Sequence, residues 1–398
     1  MEFQASETTL IVRPVIVSAF SPPALACIRS WGKQKFQVGM VCIGSGKEAM
    51  PDSTYLAKHV MLPPQQLHTT NGIQVIDKFL REFRATGIIC IDEKIACWFN
   101  SNRHRFPPGV DIWLPHNDVI RDMISKRKQI EVAHKVGFQV LPTYLIDRNG
   151  LGINKVLTDH YPLCLRPDNP AKIKPTFKVK LIYSEAELKE FIETLQKINC
   201  PVIAQPFMNL PNLVVHGART TSGTSIGLQG FLVERKFEGI TLTIRPTRLS
   251  SELRTKCIDF TNHFKLTGNY HFEFLTDKAT DLTYFLEINN RLGGTTAKVY
   301  ACGYDEPLLA LQAYGVKGKN EKQMRNTVVS NKQALVKYLL YTIKGRLTPL
   351  DYPNERKPLK LLKTMYGFFK YKDEVLSFRD IRGSFALYLG NLRSYGQA

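Results

Sequence analysis

No stretch of this 398-residue chain approaches the ~18 consecutive apolar residues of a membrane-spanning helix. The start, MEFQASETTL, has neither the basic segment nor the apolar run of a secretory signal. The eight cysteines stand singly at positions 27, 42, 90, 97, 164, 200, 257 and 302 with no CxxC pair, which argues against disulfides and zinc and for buried thiols. The first strand-to-helix turn, SAFSPPAL, carries no GxGxxG, so a dinucleotide cradle has no support there. Internal repeats, low-complexity tracts and a Ser, Cys or His nucleophile constellation are also lacking. Acidic residues are scarce: 35 against 54 Lys and Arg give a formal charge of +19 and a pI near 9.5. Such an excess opposes compactness and implies an anionic partner. It is concentrated towards the end, where residues 317 to 398 hold 17 basic and 6 acidic side chains.

What is present is ordinary globular composition, 43% hydrophobic and 22% charged, in a chain long enough for two or three domains. TLIVRPVIVSAF, PPALACIRSWGK and FQVGMVCIG read as strand, helix, strand, the opening of a doubly wound α/β domain. A helix over residues 72 to 85 and strands GIICID and DIWLP continue it. DVIRDMISKRKQIEVAHKVGF has helical spacing up to Gly137, and Ser184 with Glu187 three residues on makes a capping box. PVIAQPFM follows, and then a long glycine-containing section.

Residues 270 to 295, YHFEFLTDKATDLTYFLEINNRLGGT, read as a β-hairpin about the turn TDKATD. The period of two sets Glu273 opposite Phe272 and Phe274, and gives Glu287 and Asn289 a shared face that Arg291 continues. Three oxygen-bearing side chains can then converge as hard ligands for magnesium, with Arg291 beside a phosphate. On periodicity alone, a half-exposed hairpin with acids on its solvent face is the favoured reading.

The motif ExNxRxGG, with an acid fourteen residues earlier on a neighbouring strand, resembles the magnesium signature of the ATP-grasp superfamily. The resemblance extends over residues 118 to 315. It implies metal ligands Glu273, Glu287 and Asn289 and a catalytic Arg291. It also implies phosphate contacts at Lys126, on a helix before Gly137, and at Arg166, which ends the apolar strand YPLCLRP. The hinge facing adenine would be Pro206, Phe207 and Met208, with Gln205 where many members carry an acid. The phosphate-covering loop is usually glycine-rich, yet PDNPAKIKPTFKVK has no glycine, so a lysine must substitute; Lys178 is the choice, over Lys174 and Lys180. Asn290 replaces a proline of the family motif, and Arg245 is a weaker phosphate candidate.

The expected fold is therefore α/β. An open parallel-sheet domain over 1–117 precedes a two-lobed ATP-grasp domain over 118–316, with lobes 138–205 and 206–316, and a basic extension over 317–398. The resemblance implies ATP with two Mg2+ ions, a small carboxylate such as an amino acid activated as an acyl phosphate, ADP release, and capture by an amine. It is looser towards D-aspartate ligase-like and carbamoyl-phosphate-synthase-like enzymes. A nucleic-acid-binding protein on a degenerate scaffold is the alternative, prompted by KTMYGFFKYK, although no nucleic-acid module is present. The expected location is cytoplasmic, or peripheral at the inner membrane surface if the basic tail meets an anionic acceptor.

Overall fold

The computed structural model describes residues 11–45, 49–147, 161–170, 173, 177–195, 200–320 and 323–395. It divides into two compact units. The first comprises Met1–Leu114, Val316–Asn320 and Val375–Ala398, and the second Pro115–Gly315 and Glu321–Glu374.

The first unit is built on a parallel sheet of β1 (Pro14–Ser18), β2 (Val38–Ile43), β3 (Leu56–Leu62), β4 (Gly87–Cys90) and β5 (Asp111–Ile112), in the order β3-β2-β1-β4-β5. The apolar runs PVIVS and VGMVCI are buried along their whole length, as strands covered on both faces must be. Helix α1 (Pro22–Lys33) starts on two prolines, whose missing N–H groups cost nothing in a first turn. Helix α2 (Thr70–Phe83) is capped by Thr69 and buries Ile73, Ile76, Phe79, Leu80 and Phe83, one stripe at helical spacing. Strand β3 and helix α3 (Glu93–Ser101) are additional to the sequence reading. β3 lies at the sheet edge with Lys58 and His59 exposed, so it lacks the continuous apolar signal of its neighbours.

The second unit contains two sheets. The smaller is antiparallel, with β7 (Tyr144–Ile146), β10 (Val202–Pro206), β8 (Leu163–Pro167) and β9 (Lys180–Ile182) in that order. Helix α6 (Glu185–Leu195) lays Leu188 and Leu195 on it, among Ile146, Leu163, Leu165 and Val202. At its start Ser184 Oγ accepts the Glu187 N–H at 3.3 Å, while the Glu187 carboxylate accepts the N–H of Tyr183 at 2.9 Å.

The larger sheet has eight strands, in the order β17-β16-β13-β12-β11-β14-β15-β6. Its central members are β11 (Asn212–Arg219), β12 (Ser225–Phe237), β13 (Ile240–Thr247), β14 (Gly268–Asp277) and β15 (Leu282–Asn289), and β6 (Gln139–Val140) closes one edge. On one face Phe272, Phe274 and Phe285 of the strands pack with Phe138, just before β6, and with Phe260 of helix α7 (Ser251–His263), ring centroids 5.2 to 6.4 Å apart, and helix α5 (Lys126–Lys135) adds Val132 and Ala133 to the cluster. The other face is covered by α8 (Thr296–Cys302) and α9 (Glu306–Gln312) through Val299, Cys302 and Leu309.

The segment read as one basic extension does not form a piece of its own. Strands β16 (Val329–Ser330) and β17 (Lys372–Asp373) extend the larger sheet, so 321–374 complete the second unit. Residues 375–398 belong to the first. There the Arg29 guanidinium, 4% exposed, meets Asp380 at 2.7 Å and donates to the Val375 carbonyl and Ser384 Oγ, holding the terminal helix α12 (Ile381–Tyr395).

Candidate active site

The register of the hairpin β14–β15 builds the centre of the site. Glu273 pairs directly with Glu287 and His271 with Asn289. Between Glu273 and Phe274 the register shifts, so that Phe274 faces Phe285 and Leu286 is the extra residue of a bulge. The bulge lets Phe285 stay in the aromatic core while Glu287, two residues on, joins Glu273 on the opposite face. Simple alternation along TYFLEIN could not have placed both correctly.

Cations surround the two carboxylates. The Lys126 ammonium is hydrogen-bonded to Glu287 Oε2, and Arg166 Nη1 approaches the same oxygen at 3.4 Å. Arg166 Nη2 donates to Gln205 Oε1 at 2.7 Å and lies 3.4 Å from the carbonyl of the bulged Leu286. Asn289 Nδ2 donates to Glu287 Oε1 at 3.2 Å, and Arg291 Nη2 reaches back to Asn289 Oδ1 at 3.5 Å. Burial pushes the Glu287 carboxyl up, but Lys126 and Arg166 outweigh it and hold the group below the usual carboxylate range. Burial and then the charge of Glu287 raise Glu273 to about 7, against the opposing pull of Lys126, Arg291 and Arg166. Protein surrounds Glu273 on most sides, yet 31% of its side chain still meets solvent, so an ion could reach it.

Lys126 is held by residues that the sequence reading left out. The helix expected over 118–136 is two helices, α4 (Asn117–Ile124) and α5, broken at Ser125. Ser125 caps α5 by accepting the Lys128 N–H at 3.3 Å. Asp168, at the end of β8, accepts from Ser125 Oγ at 3.0 Å and from the Arg127 N–H at 2.8 Å, and its carbonyl accepts the Lys126 N–H at 3.0 Å. One turn on, the buried Gln129 side chain bonds both backbone groups of Ile288, accepting from N–H at 2.9 Å and donating to C=O at 3.1 Å. It thereby fixes the strand between Glu287 and Asn289. A serine before KRKQ was a readable cap; Asp168 and Gln129 carry no local signal, because their partners are 41 and 159 residues away.

Lys236 is a further addition. Its ammonium is buried, donates to the Leu210 carbonyl at 2.8 Å and to Asn212 Oδ1 at 3.2 Å, and burial lowers it to about 8 although Glu273 opposes the shift. Asn212 Nδ2 lies 3.5 Å from Glu273 Oε2, so lysine, amide and carboxylate form a short chain.

Behind the carboxylates, His216 Nδ1 meets Glu306 Oε1 at 2.9 Å and its Nε2 meets Thr295 Oγ1 at 3.1 Å, all buried. His271 lies beside His216 with ring centroids 5.3 Å apart. A Cβ on Gly293 would come within 2.5 Å of the His271 ring, which explains glycine at the first of the two motif positions; one on Gly294 would meet nothing.

The remaining expected residues are placed less centrally. Gln205, 2% exposed, is spent on Arg166 and on Thr143 Oγ1 at 2.8 Å rather than pointing to an adenine edge. Pro206 ends β10, and the Phe207 N–H already donates to the Pro162 carbonyl at 2.8 Å, leaving Met208 and the outer carbonyls of the hinge. Lys178 is exposed two residues before β9, and no contact among the described residues joins it to the Glu287 cluster; Lys174 lies outside the described residues. Arg245 is paired with Glu234 at 2.6 Å, an ordinary strand arginine.

The donor set fits magnesium. Two carboxylates and an amide oxygen are hard ligands, and the raised Glu273 marks an acid pair that a divalent cation would relieve. Three cations, Lys126, Arg166 and Arg291, outnumber the two carboxylates. Arg291 Nε is buried with no partner among the described residues, as an anion-binding guanidinium would be.

No family model matches the chain, and neither does any curated protein. Solved structures do match. An L-amino acid ligase from Bacillus licheniformis is 14% identical with a TM-score of 0.56, over 79% of this chain and 76% of that one. The ADP complex of purK, N5-carboxyaminoimidazole ribonucleotide synthetase, is 12% identical with a TM-score of 0.60, over 90% and 96%. The biotin carboxylase of Campylobacter jejuni is 15% identical with a TM-score of 0.60, over 79% and 74%. On this likeness, and with the sheets and hairpin described above, the chain has the ATP-grasp fold.

Proposed function

We propose that the chain is an ATP-dependent, ADP-forming ligase that joins a small carboxylic acid, such as an amino acid, to an amine. The observation that carries this reading is the convergence of Glu273, Glu287 and Asn289 on one face of the hairpin, ringed by Lys126, Arg166 and Arg291. Its support from the fold is general: the similar structures include an L-amino acid ligase and enzymes crystallised with ADP, and they differ in substrate.

In this reading Glu273, Glu287 and Asn289 hold two Mg2+ ions, which when bound neutralise phosphate oxygens and steady the phosphoryl group in transfer. Lys126 and Arg166 hold phosphate oxygens, and the hinge from Pro206 to Met208 lines the adenine. Lys178 is the proposed cation of the covering loop. The substrate carboxylate attacks the γ-phosphorus, the bond to the bridging oxygen breaks, and ADP leaves an acyl phosphate. The amine then attacks the acyl carbon, phosphate departs, and the amine loses its proton. Arg291, beside Asn289, stabilises charge on the transferred group.

The test is a screen for ADP release over amino acids and small carboxylates, each with candidate amines. Release that requires both partners is the expected result. Salt-sensitive retention of RNA without any magnesium-dependent nucleotide binding would instead favour the polyanion-binding alternative.

A further inference from the structure

Helices α10 (Lys332–Ile343) and α11 (Lys357–Lys370) pack on each other in the second unit and are tied at both ends. Lys332 Nζ donates to the Gly367 carbonyl at 3.2 Å, and Lys357 Nζ to the Ile343 carbonyl at 2.8 Å. An amphipathic helix ordinarily buries its apolar stripe. Helix α11 does the reverse. Its buried positions are Thr364 and Gly367, small enough for close approach, whereas Leu359, Leu362, Tyr366 and Phe369, at spacings of three and four, form the outward stripe. Leu362 is 67% exposed and Phe369 80%. In α10, Leu335, Tyr338 and Thr342 face inward, while Val336, Leu340 and Ile343 form a second exposed stripe.

Exposed apolar side chains in such rows mark an interaction surface. Charge identifies its partner: residues 332 to 372 carry ten Lys and Arg against two acids, and within 357 to 372 there are five lysines and no acid. Around α11, Lys363 and Lys370 border the outward stripe, Lys363 ion-paired with Glu355. We propose that α10 and α11 dock on a lipid bilayer with anionic headgroups, the leucines, tyrosine and phenylalanine entering the acyl boundary and the lysines meeting the phosphates. A basic rim with a leucine- and aromatic-rich face suits that interface, where apolar area and headgroup charge add. The inference rests on this surface alone and stands apart from the ligase reading.

The test is co-sedimentation of the full chain with phosphatidylcholine vesicles and with mixed phosphatidylglycerol–phosphatidylcholine vesicles, at low and high salt. Expected is retention on the mixed vesicles, reduced by salt, and weakened about tenfold or more by Leu362→Glu with Phe369→Glu. Because both side chains are exposed, the melting temperature of that variant should equal the parent's, which separates lost docking from lost folding. Lys363→Gln with Lys370→Gln should weaken retention on mixed vesicles only. Equal retention on both vesicle types, no effect of the glutamate pair, or self-association without vesicle binding that the glutamate pair abolishes would each overturn the proposal.

Discussion

Glu273 and Glu287 sit across one rung of the hairpin yet are shifted in opposite directions: cations hold Glu287 below the usual carboxylate range, while burial and the charge of Glu287 raise Glu273. Replacing Glu287 with Gln keeps the shape and an oxygen but removes the negative charge offered to a metal ion and to Lys126. Ligase activity should fall by at least about a hundredfold with the far-ultraviolet circular dichroism unchanged, as for a group acting only on charge; activity near the parent's would sink the metal assignment. The upward shift of Glu273 gives a signed pH dependence. Its folded pKa of about 7 lies above the ordinary 4.5, so across that window the folded state binds more protons and stability falls as pH rises. Melting curves between those limits should show this slope without magnesium, flattened in Glu273→Gln. Magnesium binding should also release protons in the same window, which calorimetry in buffers of different ionisation enthalpy would read. Arg166 is spent on Glu287, Gln205 and Leu286, all in the site. Arg166→Ala should weaken ATP binding by about tenfold or more, the scale of a charge-assisted hydrogen bond, with a smaller loss of thermal stability. A collapse of stability with unchanged affinity of the surviving fold would make Arg166 structural.

Elements bring these residues together through contacts that skip long stretches of sequence. Helix α5 presents Lys126 because Asp168 anchors its first turn and Gln129 locks its second onto Ile288. Gln129→Leu preserves volume but strands the Ile288 N–H and C=O, each costing about 1–3 kcal/mol when buried unpaired. The variant should melt earlier and bind magnesium nucleotide more weakly, because Glu287 and Asn289 flank the released residue. Unchanged nucleotide affinity in a destabilised variant would confine Gln129 to stability. The strands and helices with dense apolar patterns, PVIVS, VGMVCI and the stripe of α2, were readable directly. At the helix break only the capping serine, Ser125, was readable; helical periodicity continues across it, and a distant carboxylate, Asp168, decides it. The bulge at Leu286 leaves no mark, being a compromise between an aromatic core on one face and acids on the other.

At the scale of the whole molecule, two units each carry their own core, and the last 82 residues are shared between them instead of standing apart. Every proposed nucleotide contact lies in the unit of Pro115–Gly315 and Glu321–Glu374. Calorimetry should therefore resolve two transitions, only one of which rises with magnesium ATP. At a hundredfold excess over Kd the stabilisation is about 2.7 kcal/mol, a rise of about 5–10 °C for a unit of this size. A shift of neither transition would contradict nucleotide binding. The described residues contain no helix long and apolar enough to cross a membrane.

The sequence by itself determined the α/β class, the hairpin with its acid pair and following arginine, and the local basic excess, because each is written in periodicity, spacing or composition. Only the tertiary structure decided that Gln205 serves Arg166, that Lys236 and Asn212 reach Glu273, and that the basic segment turns its leucines and phenylalanines outward. Those facts depend on which side chains meet after folding and on which face a helix has room to bury, and neither is local to any stretch of the chain.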